Sequence, residues 1–127
     1  MKVPLVRAAL TAAMALTPFA TLTSQQSTET QRTPQFENDD VKVWKTLVMP
    51  HAPLTMHTHE HPRVIVALSG GTIKIMNEDG TSETQKWETG KAYWLPTSEG
   101  KKRHADANQG EKPIEVMVIE LKNSMEK

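Results

Sequence analysis

From residue 41 onward, apolar positions fall in short runs that alternate with polar ones, and Gly, Pro and Asn-Asp punctuation separates the runs. The first run, residues 41–49 (VKVWKTLVM), is ended by Pro50. Residues 63–68 form the most β-branched stretch, and Ser69-Gly70-Gly71 turns it toward a predicted hairpin partner at residues 72–76. Asn77-Glu78-Asp79-Gly80 is a turn, since Asp-Gly tolerates positive φ. Residues 81–87 alternate weakly and read as an edge strand. Residues 92–95 are short and apolar and stop at Pro96, and a loop over residues 98–102 has a basic end. Residues 103–107 and 113–121 complete the set. No stretch holds helical periodicity for more than two turns, so the pattern predicts an all-β sandwich or barrel. Apolar residues occupy both parities of residues 63–68 and 114–121, which implies cover on both faces of the sheet; a homodimer is one way to provide it.

Before residue 41 the pattern is different. Lys2 and Arg7 precede a small, apolar run over residues 8–16, broken by Pro18-Phe19-Ala20, and this layout predicts a signal peptide over residues 1–23. The run is too short to span a bilayer as a helix. Residues 24–40, rich in Ser, Thr, Gln, Glu and Asn, read as a disordered polar linker. The expected organisation is thus a leader, the linker, one β-barrel domain over residues 41–121 and a polar tail over 122–127, in a periplasmic or secreted protein.

Composition narrows the chemistry. The 127 residues suffice for one domain. Fifteen basic and fifteen acidic residues give no net charge, which argues against nucleic acid and against an anionic membrane surface as partners and leaves a small-molecule ligand. With no cysteine, any metal must be held by nitrogen and oxygen ligands.

Three of the five histidines lie in His57-Thr58-His59-Glu60-His61-Pro62-Arg63. On an extended strand His57 and His59 share a face and offer a two-imidazole grip for a divalent metal; a polar, solvated strand start is the alternative. The later segment carries Gly90, Pro96, Gly100, His104 and Asn108. Together with His57-x-His59 and Gly70, these positions resemble the paired motifs of the cupin superfamily, in particular its small single-domain members. The resemblance covers residues 41–121. It implies a double-stranded β-helix, a jelly-roll barrel, with His57, His59 and His104 as metal ligands.

Three positions depart from the motifs. His51 stands where the first motif opens with glycine. The second motif is three residues longer between Pro96 and His104, which shifts Gly100. Arg63 stands where the motif glutamate, the usual fourth ligand, belongs. A guanidinium about 6 Å from a dication would be repelled by roughly 5 kcal/mol at an effective dielectric near 20. Arg63 therefore turns away toward Glu60 or Asp106 and leaves a three-histidine site, meets an anion between itself and the metal, or serves as an anion-binding fork in a metal-free site. Imidazole ligation suits Fe, Mn, Zn, Ni or Cu, and three histidines leave coordination positions open for catalysis. The resemblance implies a metal-dependent enzyme, first of all a dioxygenase, acting on a small anionic organic substrate oriented by Arg63 as a catalytic residue. A non-catalytic cupin that binds a small ligand or anion without metal is the alternative.

Overall fold

The computed structural model describes residues 2–4, 11–21 and 29–123. Among them are eight strands: β1 (Gln31–Glu37), β2 (Val41–Val48), β3 (Arg63–Ser69), β4 (Gly71–Asn77), β5 (Ser82–Trp87), β6 (Ala92–Leu95), β7 (His104–Asn108) and β8 (Ile114–Leu121). One 3-10 turn, Thr97–Glu99, interrupts them. The strands form two antiparallel sheets, ordered β1-β2-β8-β3-β6 and β5-β4-β7. The alternation read from the sequence sets which side chains enter the space between the sheets. Trp44, Thr46 and Val48 do so from β2, Arg63, Ile65 and Ala67 from β3, and Ile114, Val116 and Val118 from β8, all of them buried. Ile73 and Ile75 close the core from β4.

Two expectations about the chain's course need correction. Residues 72–76 are not the hairpin partner of residues 63–68. β3 pairs with β6 and β8, whereas β4 pairs with β5 and β7 in the other sheet. Gly70 is where the chain crosses. A Cβ there would lie 2.1 Å from the Trp87 carbonyl oxygen, so only glycine lets the crossing strand pass against the end of β5. The strand at residues 82–87 does lie at a sheet edge, as expected.

The second correction concerns the linker. Residues 24–28 lie outside the described residues, but Gln31–Glu37 is a strand paired antiparallel with β2 from Gln31↔Leu47 to Glu37↔Lys42. All seven of its residues are exposed, so it has no apolar face to announce it. Pro34 sits at a register shift, the place an edge strand tolerates proline. Main-chain pairing holds it, aided at its start by the Thr30 hydroxyl, which donates to the Ala52 carbonyl and accepts from the Met49 amide. At its end, Asn38 Oδ1 accepts from the amides of Asp40 and Val41 and forms the β1–β2 turn. The first residues of the expected tail are tied to that turn: Lys122 Nζ donates to the Asn38 carbonyl at 2.8 Å. The leader expected over residues 1–23 falls partly outside the described residues; residues 11–21 hold neither helix nor strand. No helix among the described residues is long and apolar enough to cross a membrane.

Candidate metal centre

Three segments bring the histidines together. The chain between β2 and β3 runs beside β7, with the Leu54 amide donating to the Asp106 carbonyl at 2.9 Å. His57 then pairs with His104 in a two-hydrogen-bond antiparallel bridge. Two residues on, the His59 amide donates to the Gly100 carbonyl at 2.8 Å. The result is a cluster of His57, His59 and His104 in which one ligand nitrogen from each lies within 4.8 Å of the others. The rings stand edge to face or tilted, with centroids 4.6–5.6 Å apart. Among the described residues this is the one group of ligating side chains gathered tightly enough to hold a metal ion. Glu60 is exposed, and His51 and His61 stand outside the cluster.

The hydrogen bonds of two histidines fix which nitrogen is free. His57 Nδ1 and His104 Nδ1 each lie 2.7 Å from a main-chain carbonyl, those of Thr55 and Lys102. A carbonyl only accepts, so both Nδ1 atoms carry the proton and both Nε2 atoms present a lone pair. Nε2 of His57 is buried and has no hydrogen-bond partner. Burial, above all, lowers the pKa of His57 and pushes that of His59 down to about 2, with Arg63 adding to the effect on His59. Neutral imidazoles with free Nε2 atoms are the form that binds a transition metal, so this donor set fits one.

Arg63 points into the barrel from the first position of β3, beside Ile65, and is buried. Burial lowers its pKa, opposed by Asp106, Glu99 and Glu120. It does not turn away to a partner: Nη1 is buried without a hydrogen bond. Arg63, His59, His104, Asp106 and Glu99 border one small cavity of about 40 Å³ in the barrel interior, room for roughly two waters. A second, open groove of about 450 Å³ meets it at His59, Arg32 and Trp44 and continues past Thr58, Phe36 and Glu120.

Gly100 explains why a shifted second motif still works. The extra residues are taken up by the Thr97–Glu99 turn, which returns Gly100 to His59. A Cβ on Gly100 would lie 2.5 Å from the Cβ of His59 and 3.1 Å from Arg63 Nη1. His51, at the position of the first motif's opening glycine, has φ of 60°, the one non-glycine with positive φ among the described residues.

Sequence reasoning missed two side chains at the site. Arg32 lies in the stretch whose composition reads as linker. Its guanidinium sits 5.6 Å from the Trp44 ring centroid and lines both the cavity and the groove. Asp106 was visible only as a neighbour for Arg63. Its parity with His104 was the available signal, since the two sit at i and i+2 on β7.

No protein-family model matches the sequence, and no curated protein matches it. Solved structures do. A cupin domain from Bordetella pertussis Tohama I superposes with a TM-score of 0.64 at 25% identity over 76% of this chain and 97% of that one. An RmlC-like cupin family protein with a double-stranded β-helix fold from Methanocaldococcus jannaschii gives 0.57 at 11% identity, over 76% of this chain and 84% of that one. An RmlC-like cupin from Desulfovibrio desulfuricans gives 0.53 at 14% identity, over 86% and 97%. The two sheets, their order and these superpositions agree: the chain is a double-stranded β-helix of the cupin superfamily.

Proposed function

We propose that this protein is an exported cupin enzyme that holds a divalent metal through His57, His59 and His104 and acts on a small anionic organic substrate, with an oxygenase reaction as its chemistry. The observation that carries the reading is the buried Nη1 of Arg63, without a hydrogen-bond partner, in the same cavity as His59 and His104. A buried guanidinium donor left unpaired is costly, and an anionic ligand group relieves that cost. The cavity admits little more than a carboxylate or hydroxylate head. The remainder of the substrate would lie in the outer groove along Trp44 and Arg32, where an aromatic face and a second cation are available. When bound, the metal would supply open coordination positions and Lewis acidity, and iron would add the ability to bind dioxygen. The chain's own residues do the rest. Main-chain carbonyls hold His57 and His104 in the ligating tautomer, Arg63 orients the anionic head, and the barrel walls exclude bulk water. Arg63 in the place of a carboxylate also favours a second reading, a metal-free cupin that captures a small anion.

Elemental analysis of protein purified without an affinity tag separates the two. A stoichiometric metal that is lost in His104→Ala supports the enzyme. Less than about a tenth of an equivalent, unchanged after addition of Fe(II), Mn(II) or Zn(II), would sink it. Oxygen consumption with small carboxylic acids, phenols and thiols then tests the reaction.

A further inference from the structure

We infer that Asp106, not a residue of the His57-x-His59 segment, supplies the carboxylate ligand that Arg63 displaces from the cupin metal site. The inference rests on the metal-binding reading above. Asp106 follows His104 by two residues on β7, so both side chains enter the barrel from the same face, and both border the inner cavity. Its Oδ2 lies 3.7 Å from Nε2 of His57. That nitrogen is an acceptor, because the ring proton is on Nδ1 and donated to Thr55. Two acceptors thus face each other, at a separation too long for a hydrogen bond. A cation between them resolves the repulsion. With metal–ligand bonds near 2.0–2.2 Å, two donors this far apart subtend an angle of about 120° at the ion, within the range of four-coordinate sites.

Charge supports the same assignment. Asp106 is the foremost carboxylate acting on both Arg63 and Arg32, so it offsets the two cations that would otherwise oppose a dication here. Glu120 is the rival. Its Oε2 lies 3.9 Å from Nδ1 of His59, but it borders the outer groove and not the inner cavity. It shares the inward face of β8 with Val118, opposite Arg63, and is placed to orient His59.

The test is titration of the metal-free protein with Zn(II) and Co(II), with calorimetry for affinity and visible absorption for the cobalt coordination sphere. Asp106→Asn is expected to lower affinity by about 100-fold or more and to change the cobalt spectrum, because it removes a ligand rather than an outer partner. Asp106→Glu keeps a carboxylate and should retain affinity within about tenfold. Glu120→Gln should keep the wild-type spectrum. The metal-free variants should keep wild-type circular dichroism, since the strand pairing of β7 uses only the main chain of residue 106. Asp106→Asn with wild-type affinity and spectrum overturns the inference and leaves the metal reading standing; so does a loss confined to Glu120→Gln. A wild-type chain that binds neither cation overturns both.

Discussion

At the scale of single residues, the barrel interior holds groups that are costly to charge. His59 has its pKa pushed down to about 2 from 6.5, chiefly by burial, and that of His57 is also lowered. Between those values the unfolded chain binds protons that the folded chain refuses, so ∂ΔG/∂pH of unfolding is positive there. Metal-free protein should therefore hold its full stability above about pH 6.5 and lose it progressively on acidification toward pH 2. Denaturant melts at a series of pH values check this; a flat profile over that window would show both rings solvated in solution. Gly100 gives a second expectation. Alanine there must push apart His59 and Arg63, both buried, at a cost of about 1–3 kcal/mol and with loss of metal affinity. A Gly100→Ala protein that melts and binds metal like wild type would mean the loop moves freely. His51 offers the opposite sign. With φ at 60°, it bears the strain that L residues carry in the left-handed region, and His51→Gly should stabilise by about 0.5–1 kcal/mol, after the entropy of the more flexible unfolded chain is allowed for.

At the scale of elements, legibility tracked burial. Five strands could be read from an alternating or continuous apolar face, β5 and β7 more weakly from the turns that flank them, and the observed bounds differ from the expected ones by a residue or two. β1 could not, because its seven residues are all exposed and the contacts that hold it, main-chain pairing with β2, Arg32 against Trp44 and the Glu37–Lys122 ion pair, leave no periodic signal in the sequence. The Asn38-Asp39-Asp40 turn was the one available clue. The hairpin assigned to β3 and β4 failed for a different reason: two neighbouring runs joined by glycines look alike whether the chain turns or crosses between sheets. The contact that decides it, Gly70 against Trp87 and Thr89, is long-range. The convergence of His57 and His59 was legible from their i, i+2 spacing, although the segment holds only an isolated bridge at His57 rather than a strand, and His104 joined them only through the motif resemblance. The partner of those histidines on β7 was not legible, because Asp106 is one of many acidic residues until the register places it. Asn108 ties these elements. Its side-chain amide donates to the Val48 and Lys112 carbonyls at 2.9 and 2.7 Å, and its Oδ1 accepts from Gly110. Asn108→Ala leaves those groups unpaired at the junction of β2, β7 and the loop to β8. It should cost about 2–3 kcal/mol in a denaturant melt. A cost below 0.5 kcal/mol, a threshold set by typical surface substitutions, would mean that water replaces all three bonds.

At the scale of the whole molecule, the five-stranded sheet has an outer face whose apolar cover is incomplete. Register places Phe36 opposite Val43, Val43 opposite Ile119, Ile119 opposite Val64, and Val64 opposite Trp94, an unbroken apolar row across all five strands. The two ends of the row stand out in solvent, Phe36 at 58% exposure and Trp94 at 52%. The row runs from edge to edge, so a second copy related by a two-fold axis over Ile119 would set Phe36 of one chain against Trp94 of the other. That pairing buries the two largest exposed side chains of the sheet at once. A homodimer is also one way to cover the apolar positions of both parities in β3 and β8. Static light scattering should therefore give twice the chain mass at micromolar concentration. Val64→Glu, which puts a charge near the middle of the row with its strand pairing intact, should halve that mass without altering the metal stoichiometry, because residue 64 faces away from the barrel interior. A wild-type monomer under the same conditions, or a Val64→Glu dimer, would leave this face as ordinary solvent-facing sheet.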